Sequence, residues 1–121
     1  MLKVLILDDD NDLLEMVSLI LQTHGMEVLS LNDHTDFFTA LSNYKPDLVV
    51  LDIYLNDADG RELCRQLKKT EEFSGTPVLL YSAGHISPSS IEDCHANDFL
   101  QKPFNISVLL NRINQQVPQP G

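Results

Sequence analysis

The chain has 121 residues, of which 43% are hydrophobic, so it is long enough to bury the core of one domain. Eighteen acidic against eight basic residues give a formal net charge of −10 at pH 7, which argues against direct binding to nucleic acid or to an anionic membrane. The apolar run at the amino terminus is too short for a signal peptide or a membrane span, and we expect a cytoplasmic protein.

The cysteines and histidines show no ligand spacing. Cys64 and Cys94 lie in no CxxC or Cys/His pattern, and their surroundings predict half-buried helix positions rather than a disulfide or zinc site. All four histidines are expected at the surface.

Predicted strands and helices alternate along the chain. Strands are predicted over residues 2–7, 26–31, 47–51, 77–81 and 98–101, each followed by a helical pattern. Capping residues are predicted at the first four helix starts, namely Asp12 with Glu15, Asp33, Asp59 with Glu62, and Ser87 before Pro88. The fourth helix is expected to have barely two turns. This order indicates a parallel sheet with helices on both sides, and it leaves the strand order open.

Carboxylates stand where two of these strands end. Asp8 and Asp9 follow the first strand, and Asp52 follows the unbroken apolar run of the third. Ligands bind outside the carboxyl ends of strands in open α/β sheets, which makes Asp52 a candidate functional residue. Several acids in a row at a helix start repel one another, so capping explains only part of the excess.

These acids, with Ser82 after the fourth strand and Lys102-Pro103 after the fifth, resemble the response regulator receiver domain. The motifs KPDLVVLD and Asp59-Gly60 stand at the family's offsets, and the match covers nearly the whole chain. The resemblance implies an α/β, flavodoxin-like, doubly wound sheet of five parallel strands in the order 2-1-3-4-5, with five helices. We expect a receiver domain over residues 1–117 and a tail or the start of a linker over 118–121.

The resemblance implies a signalling domain rather than an enzyme. It accepts a phosphoryl group on Asp52 from a histidine kinase or a histidine phosphotransfer protein, and its own chemistry is limited to phosphotransfer and autodephosphorylation. A carboxylate that receives a phosphoryl group needs a hard cation and fixed donors to offset charge repulsion. The implied Mg²⁺ ligands are Asp8, Asp9, Asp52 and the backbone carbonyl of Tyr54, and the implied donors are Lys102 and Ser82.

The family also suggests switch and rate-tuning positions. Ser82 and Phe99 are the expected switch pair, while Tyr54 and Gly84 are expected to tune the lifetime of the phosphoryl group. The Lys102-Pro103 peptide is expected to be cis. The fourth helix, last strand and last helix are the expected face for a homodimer or an effector domain.

The chain departs from the family in three places. Asn56 replaces a usual proline, the interval from Ser82 to Lys102 is shorter than usual, and residues 95–98 read His-Ala-Asn-Asp where a Gly-Ala-Asp-Asp-like turn is common. These departures affect the fourth helix and leave the partner at the output face open.

Three alternatives compete with the phosphate-dependent receiver. A receiver-fold interaction module that no longer uses phosphate is opposed by the complete set of acids, hydroxyl and lysine. A flavodoxin-like FMN binder needs phosphate donors after the first strand, where DDDND would repel the ligand. A haloacid-dehalogenase-type phosphatase requires a DxD-like pair, which Asp52-Ile53-Tyr54 does not supply.

Overall fold

The structure is a computed structural model that describes residues 1–84, 86–102 and 105–116. Within these ranges the strands are β1 (Lys3–Leu7), β2 (Glu27–Leu31), β3 (Leu48–Asp52), β4 (Val78–Ser82) and β5 (Asp98–Gln101). The α-helices are α1 (Asn11–Thr23), α2 (Phe37–Tyr44), α3 (Gly60–Lys69), α4 (Pro88–Asp93) and α5 (Ile106–Gln116). A short 3-10 helix, Glu71–Phe73, follows α3.

The five strands form one parallel sheet in the order β2-β1-β3-β4-β5, which confirms the predicted order. All five residues of β3 are buried, and so are all five of β4. Continuous burial is expected of central parallel strands that helices cover on both faces. β2 is only partly buried, in agreement with its mixed sequence and its place at the edge of the sheet.

Two apolar clusters lie on opposite faces of the sheet. Side chains of β1, β3 and β4 alternate between them, because successive residues of a strand point to opposite faces. One cluster joins the sheet to α2 and α3, and the other joins it to α1 and α5.

Two predicted helix caps are wrong. Asp10, not Asp12, caps α1, and its carboxylate accepts from the backbone N–H of Leu13 at 3.2 Å. The carboxylate of Asp33 accepts from the backbone N–H of Thr35 instead of capping α2, which begins four residues after Asp33. Runs of acids offer several equivalent caps to sequence reasoning, and the path of the chain out of the preceding strand selects one.

The third and fourth helices begin as predicted. Asp59 caps α3, although its carboxylate accepts from the N–H of Arg61 and not from that of Glu62. Pro88 opens α4 after Ser87, which stands at the predicted cap position but makes no described capping hydrogen bond with its side chain. The helix has only six residues and no fully buried side chain. Residues 117–121, which include the predicted end of the domain and its tail, lie outside the described residues.

Both cysteines are free and fully buried, so their predicted half-burial is wrong. The thiol of Cys64 lies 3.4 Å from the backbone carbonyl of Cys94 and thereby joins α3 to the end of α4. His24 and His95 are exposed, His34 is half-buried, and His85 is not among the described residues. No helix in the described ranges is long and apolar enough to cross a membrane.

Candidate functional site

Strand alternation brings three polar side chains to one face at the carboxyl edge of the sheet. Asp8 continues the alternation of Val4 and Ile6 in β1, and Asp52 continues that of Leu48 and Val50 in β3. Tyr81 follows Leu79 on the same face of β4 and is the register partner of Asp52. The site is therefore built on the α1 and α5 side of three adjacent strands.

Lys102 joins two of the predicted carboxylates. Its Nζ lies 3.0 Å from Oδ2 of Asp8 and 3.4 Å from Oδ2 of Asp52. The lysine is placed by β5, because its backbone N–H donates to the carbonyl of Ser82 at 2.8 Å. Asp8 is fully buried and Asp52 is 5% exposed, so these ion pairs lie largely out of solvent.

Burial dominates the electrostatics of Asp52. It raises the pKa of this carboxyl, the charge of Asp8 raises it further, and Lys102 partly opposes both, which leaves the pKa at about 6. A carboxylate with this pKa still carries its charge at neutral pH. Ionised Asp52 is therefore less favourable in the folded protein than it is in water.

Asp9 completes the predicted acidic group. One carboxylate oxygen each from Asp8, Asp9 and Asp52 can lie within 4.8 Å of one another. Asp9 is half-buried and reaches a small cleft of about 110 Å³ that opens beside Asn56 and Asp57. Three carboxylates at this spacing suit a hard divalent cation such as Mg²⁺, which prefers oxygen ligands.

Gly60 lets α3 begin directly against β3. A Cβ at this position would stand 2.1 Å from the backbone oxygen of Asp52, so no other residue fits without moving the backbone. The N–H of Gly60 donates to the carbonyl of Ile53 at 2.7 Å and closes the loop around Tyr54. The Asp59-Gly60 pair thus fixes the chain that leaves Asp52.

Tyr54 and Gly84 contact each other across the mouth of the site. A Cβ on Gly84 would stand 2.6 Å from Cε2 of Tyr54, so the ring occupies the space that a larger residue 84 would need. Tyr54 is 52% exposed, and its N–H donates to Oδ1 of Asp52 at 3.3 Å. The structure therefore places the two expected rate-tuning positions in contact with each other.

Ser82 is buried, but its side chain lies on the other face of β4. Its Oγ accepts from the N–H of Gly84 at 3.1 Å, and no described hydrogen bond joins it to Asp52. Phe99 is half-buried and packs against the cluster shared with Ile86 and Ile91 near α4. Among the described residues, no hydrogen bond joins the side chain of either predicted switch residue to the acidic group. Pro103 and its expected cis peptide lie outside the described residues.

A family model described as the response regulator receiver domain matches residues 4–114. The chain belongs to this family. Receiver domains are signalling domains of two-component systems, which favours the signalling interpretation over an FMN-binding one.

Curated relatives and solved structures agree with this assignment. The DNA-binding response regulator MtrA of Mycobacterium tuberculosis is 30% identical over 117 residues, covering 95% of this chain and 50% of that protein. RpaA of Synechocystis, named a DNA-binding dual master transcriptional regulator, is 32% identical over 92% of this chain and 47% of that protein. The chain thus spans about half the length of these relatives.

Two solved receiver structures superpose over almost the whole chain. Chemotaxis protein CheY4 of Vibrio cholerae is 27% identical with a TM-score of 0.90, covering 97% of this chain and 99% of that one. The BeF3-activated receiver domain of Klebsiella pneumoniae RstA is 28% identical with a TM-score of 0.85 and covers 97% and 99%.

Sequence reasoning missed Tyr81, which was assigned only to a strand. Its hydroxyl donates to Oδ2 of Asp8 at 2.5 Å, and its ring lies 4.4 Å from Nζ of Lys102. A signal was available, because a tyrosine in an otherwise aliphatic buried strand needs a partner for its hydroxyl. The acids at the same edge of the sheet are the partners that strand alternation offers.

Proposed function

We propose that this receiver domain accepts a phosphoryl group on Asp52 from a phosphohistidine of a histidine kinase or a histidine phosphotransfer protein. The observation that carries the proposal is the buried Asp52 carboxylate, which shares the ammonium group of Lys102 with a second buried acid, Asp8. A purely structural ion pair would need one carboxylate, and a surplus of buried negative charge costs stability. The surplus is explained if a divalent cation binds here and offsets the negative charge of the acids and of an incoming phosphoryl group.

The transfer is a displacement at phosphorus. An oxygen of Asp52 forms the O–P bond as the N–P bond of the phosphohistidine breaks, and the electron pair of that bond returns to the imidazole nitrogen, which takes up a proton. Hydrolysis later returns the Asp52 carboxylate and inorganic phosphate. The side chain of Lys102 would turn from Asp8 and Asp52 toward the incoming phosphoryl oxygens. Its positive charge would offset their negative charge there.

Asp8, Asp9, Asp52 and the carbonyl of Tyr54 are the groups that would hold Mg²⁺. These oxygen atoms are hard ligands, and one oxygen from each of the three carboxylates lies within 4.8 Å of the other two, which fits such an ion. When bound, the cation would neutralise the negative charge of both the acids and the phosphoryl group.

We infer that Tyr54 and Gly84 tune hydrolysis together. The Tyr54 ring lies over Gly84 and supplies the three atoms nearest to where a Cβ of residue 84 would stand. By standing there it hinders the approach of water to a phosphoryl group on Asp52. Gly84 permits this position because it has no side chain.

Output is proposed to pass from Ser82 to α4, β5 and α5. Ser82 would leave Gly84 for the phosphoryl group, and Phe99 would move inward as the loop before α4 shifts. α4 resists such a shift weakly, since it buries no side chain fully. A second receiver or an effector domain would read the change. The relatives are named as DNA-binding regulators, so a nucleic-acid contact would belong to a separate domain and not to this acidic one.

We place the domain in the cytoplasm. Its two cysteines are free and buried, and thiols persist in reducing compartments.

Intact-mass measurement after incubation with acetyl phosphate and Mg²⁺ tests the phosphoacceptor. One added phosphoryl group is expected on the wild-type protein and none on Asp52→Asn. Asp93→Asn is the matched control, because Asp93 is an exposed acid at the end of α4, and it should be modified as the wild type is. Modification of Asp52→Asn at the wild-type rate would overturn the assignment of Asp52 as the phosphoacceptor. A wild-type protein that is not modified would overturn the proposal and favour the phosphate-independent interaction module.

The cation site is tested with Asp9→Asn. The change keeps the size of the side chain and removes one charge, so calorimetry should show Mg²⁺ affinity lowered on the order of tenfold or more. An unchanged affinity would place the cation elsewhere.

A further inference from the structure

The side chain of Tyr81 lies in an apolar cluster, and its hydroxyl reaches Asp8 of the acidic site. The residue is fully buried, and its ring belongs to the cluster between the sheet and helices α1 and α5. Burial and the charge of Asp8 raise the pKa of its hydroxyl far above neutral, so the hydroxyl keeps its proton and acts as the donor to Asp8.

Asp8 is held through both of its oxygens. Oδ1 accepts from the backbone N–H of Asp10 at 2.9 Å, while Oδ2 accepts from Tyr81 at 2.5 Å and from Lys102 at 3.0 Å. A carboxylate oxygen offers two acceptor sites, so both sites of Oδ2 are used and Oδ1 keeps one beyond its bond to Asp10. Without the Tyr81 hydroxyl the carboxylate would keep the N–H of Asp10 and the ammonium group of Lys102, but it would lose the donor that fixes Oδ2 from β4.

The Tyr81 ring also contacts the lysine. Nζ of Lys102 lies 4.4 Å from the ring centroid, within the range of a cation–π contact. One side chain therefore touches both an acid of the site and the cation shared between Asp8 and Asp52. Phenylalanine would preserve the ring contact and remove only the hydroxyl, which separates the two roles.

We propose that Tyr81 is a positioning residue, whose hydroxyl orients the Asp8 carboxylate so that Oδ1 is presented for Mg²⁺ binding while Oδ2 is tied to Tyr81 and Lys102. The inference rests on the proposed function, because it assumes that the acidic site binds Mg²⁺. Removing a residue that hydrogen-bonds to a metal ligand and orients it commonly lowers the affinity for the metal. Tyr81 would act on the cation through Asp8, whose Oδ2 accepts from the tyrosine hydroxyl.

The test compares Mg²⁺ binding by wild type, Tyr81→Phe and Tyr81→Leu in calorimetry. Tyr81→Phe should raise the Kd for Mg²⁺ about tenfold, and Tyr81→Leu should raise it similarly, since both lose the hydroxyl. Tyr44→Phe is the matched control, because it removes a tyrosine hydroxyl at the end of α2, away from the site, and its Kd should equal that of wild type. Phosphorylation by acetyl phosphate should need about tenfold more Mg²⁺ in Tyr81→Phe and approach the wild-type rate when Mg²⁺ is saturating.

Two results would overturn the inference alone. The first is a wild-type Kd in Tyr81→Phe together with a lower melting temperature, which would make the hydroxyl purely structural. The second is a loss of affinity in Tyr81→Leu only, which would assign the effect to the ring. A wild-type protein that binds no Mg²⁺ and accepts no phosphoryl group would instead remove the proposed function and the inference with it.

Discussion

Asparagine at position 52 should stabilise the protein in the absence of divalent cations. Burial and the charge of Asp8 raise the pKa of Asp52 from 3.8 to about 6, so ionisation costs more free energy in the folded state than in the unfolded state. Each pKa unit corresponds to about 1.4 kcal/mol. The rise from 3.8 to about 6 therefore lowers the free energy of unfolding of the wild type by up to ~3 kcal/mol at neutral pH. Asparagine cannot ionise and avoids this cost.

The effect has a defined pH window. Below pH 3.8 the Asp52 carboxyl is protonated in both states, and the two proteins should be equally stable. As the pH rises through about 6 the folded carboxyl ionises, the wild type loses this stability, and the difference reaches its plateau. This is opposite to the behaviour of an aspartate whose folded pKa is depressed by a salt bridge.

Urea unfolding of both proteins in EDTA between pH 4 and 8 measures the difference and cancels the other titrating groups. Glu72→Gln is the control, because Glu72 is exposed in the 3-10 helix and its removal should not produce this pH dependence. Millimolar Mg²⁺ should stabilise the wild type more than the variant and so reduce the difference between their free energies of unfolding. A variant less stable than wild type at pH 7, or a difference that does not change with pH, would refute the reasoning.

Three further changes have defined outcomes. Tyr54→Ala should shorten the lifetime of the phosphorylated protein severalfold by removing the ring from the mouth of the site, and an unchanged lifetime in a phosphate-release assay would show that the ring does not shield it. Gly84→Ala should act in the same direction, because its Cβ would stand 2.6 Å from the Tyr54 ring and displace it, and it should add little to Tyr54→Ala in the double variant. His95→Gly should stabilise the fold by about 0.5–1 kcal/mol in urea melts, since His95 has φ +64°, a conformation that costs an L-residue free energy and glycine little. A less stable His95→Gly protein would mean that contacts of the imidazole outweigh the backbone strain.

The sequence by itself predicted the strands of the sheet and the acids that stand at their carboxyl ends. An apolar run without alternation identified β3 as a central strand, and the acids after β1 and β3 are polar groups at adjacent carboxyl ends. These features are local, so they can be read without knowing which residues meet in space. The resemblance then supplied the strand order, which the apolar pattern had left open and the structure confirms.

Only the tertiary structure decided how the side chains pair. The bond from Tyr81 to Asp8 spans 73 residues and depends on β3 lying between β1 and β4 while both side chains point to the same face. The contact of Tyr54 with Gly84 likewise requires two loops to meet above neighbouring strands. Helix α1 begins after Asp10 although Asp12 has the better capping pattern, because the chain leaving β1 must turn at once to cover the sheet. Each of these outcomes follows from distances between strands and from the path of the chain, which a linear pattern of residue types does not contain.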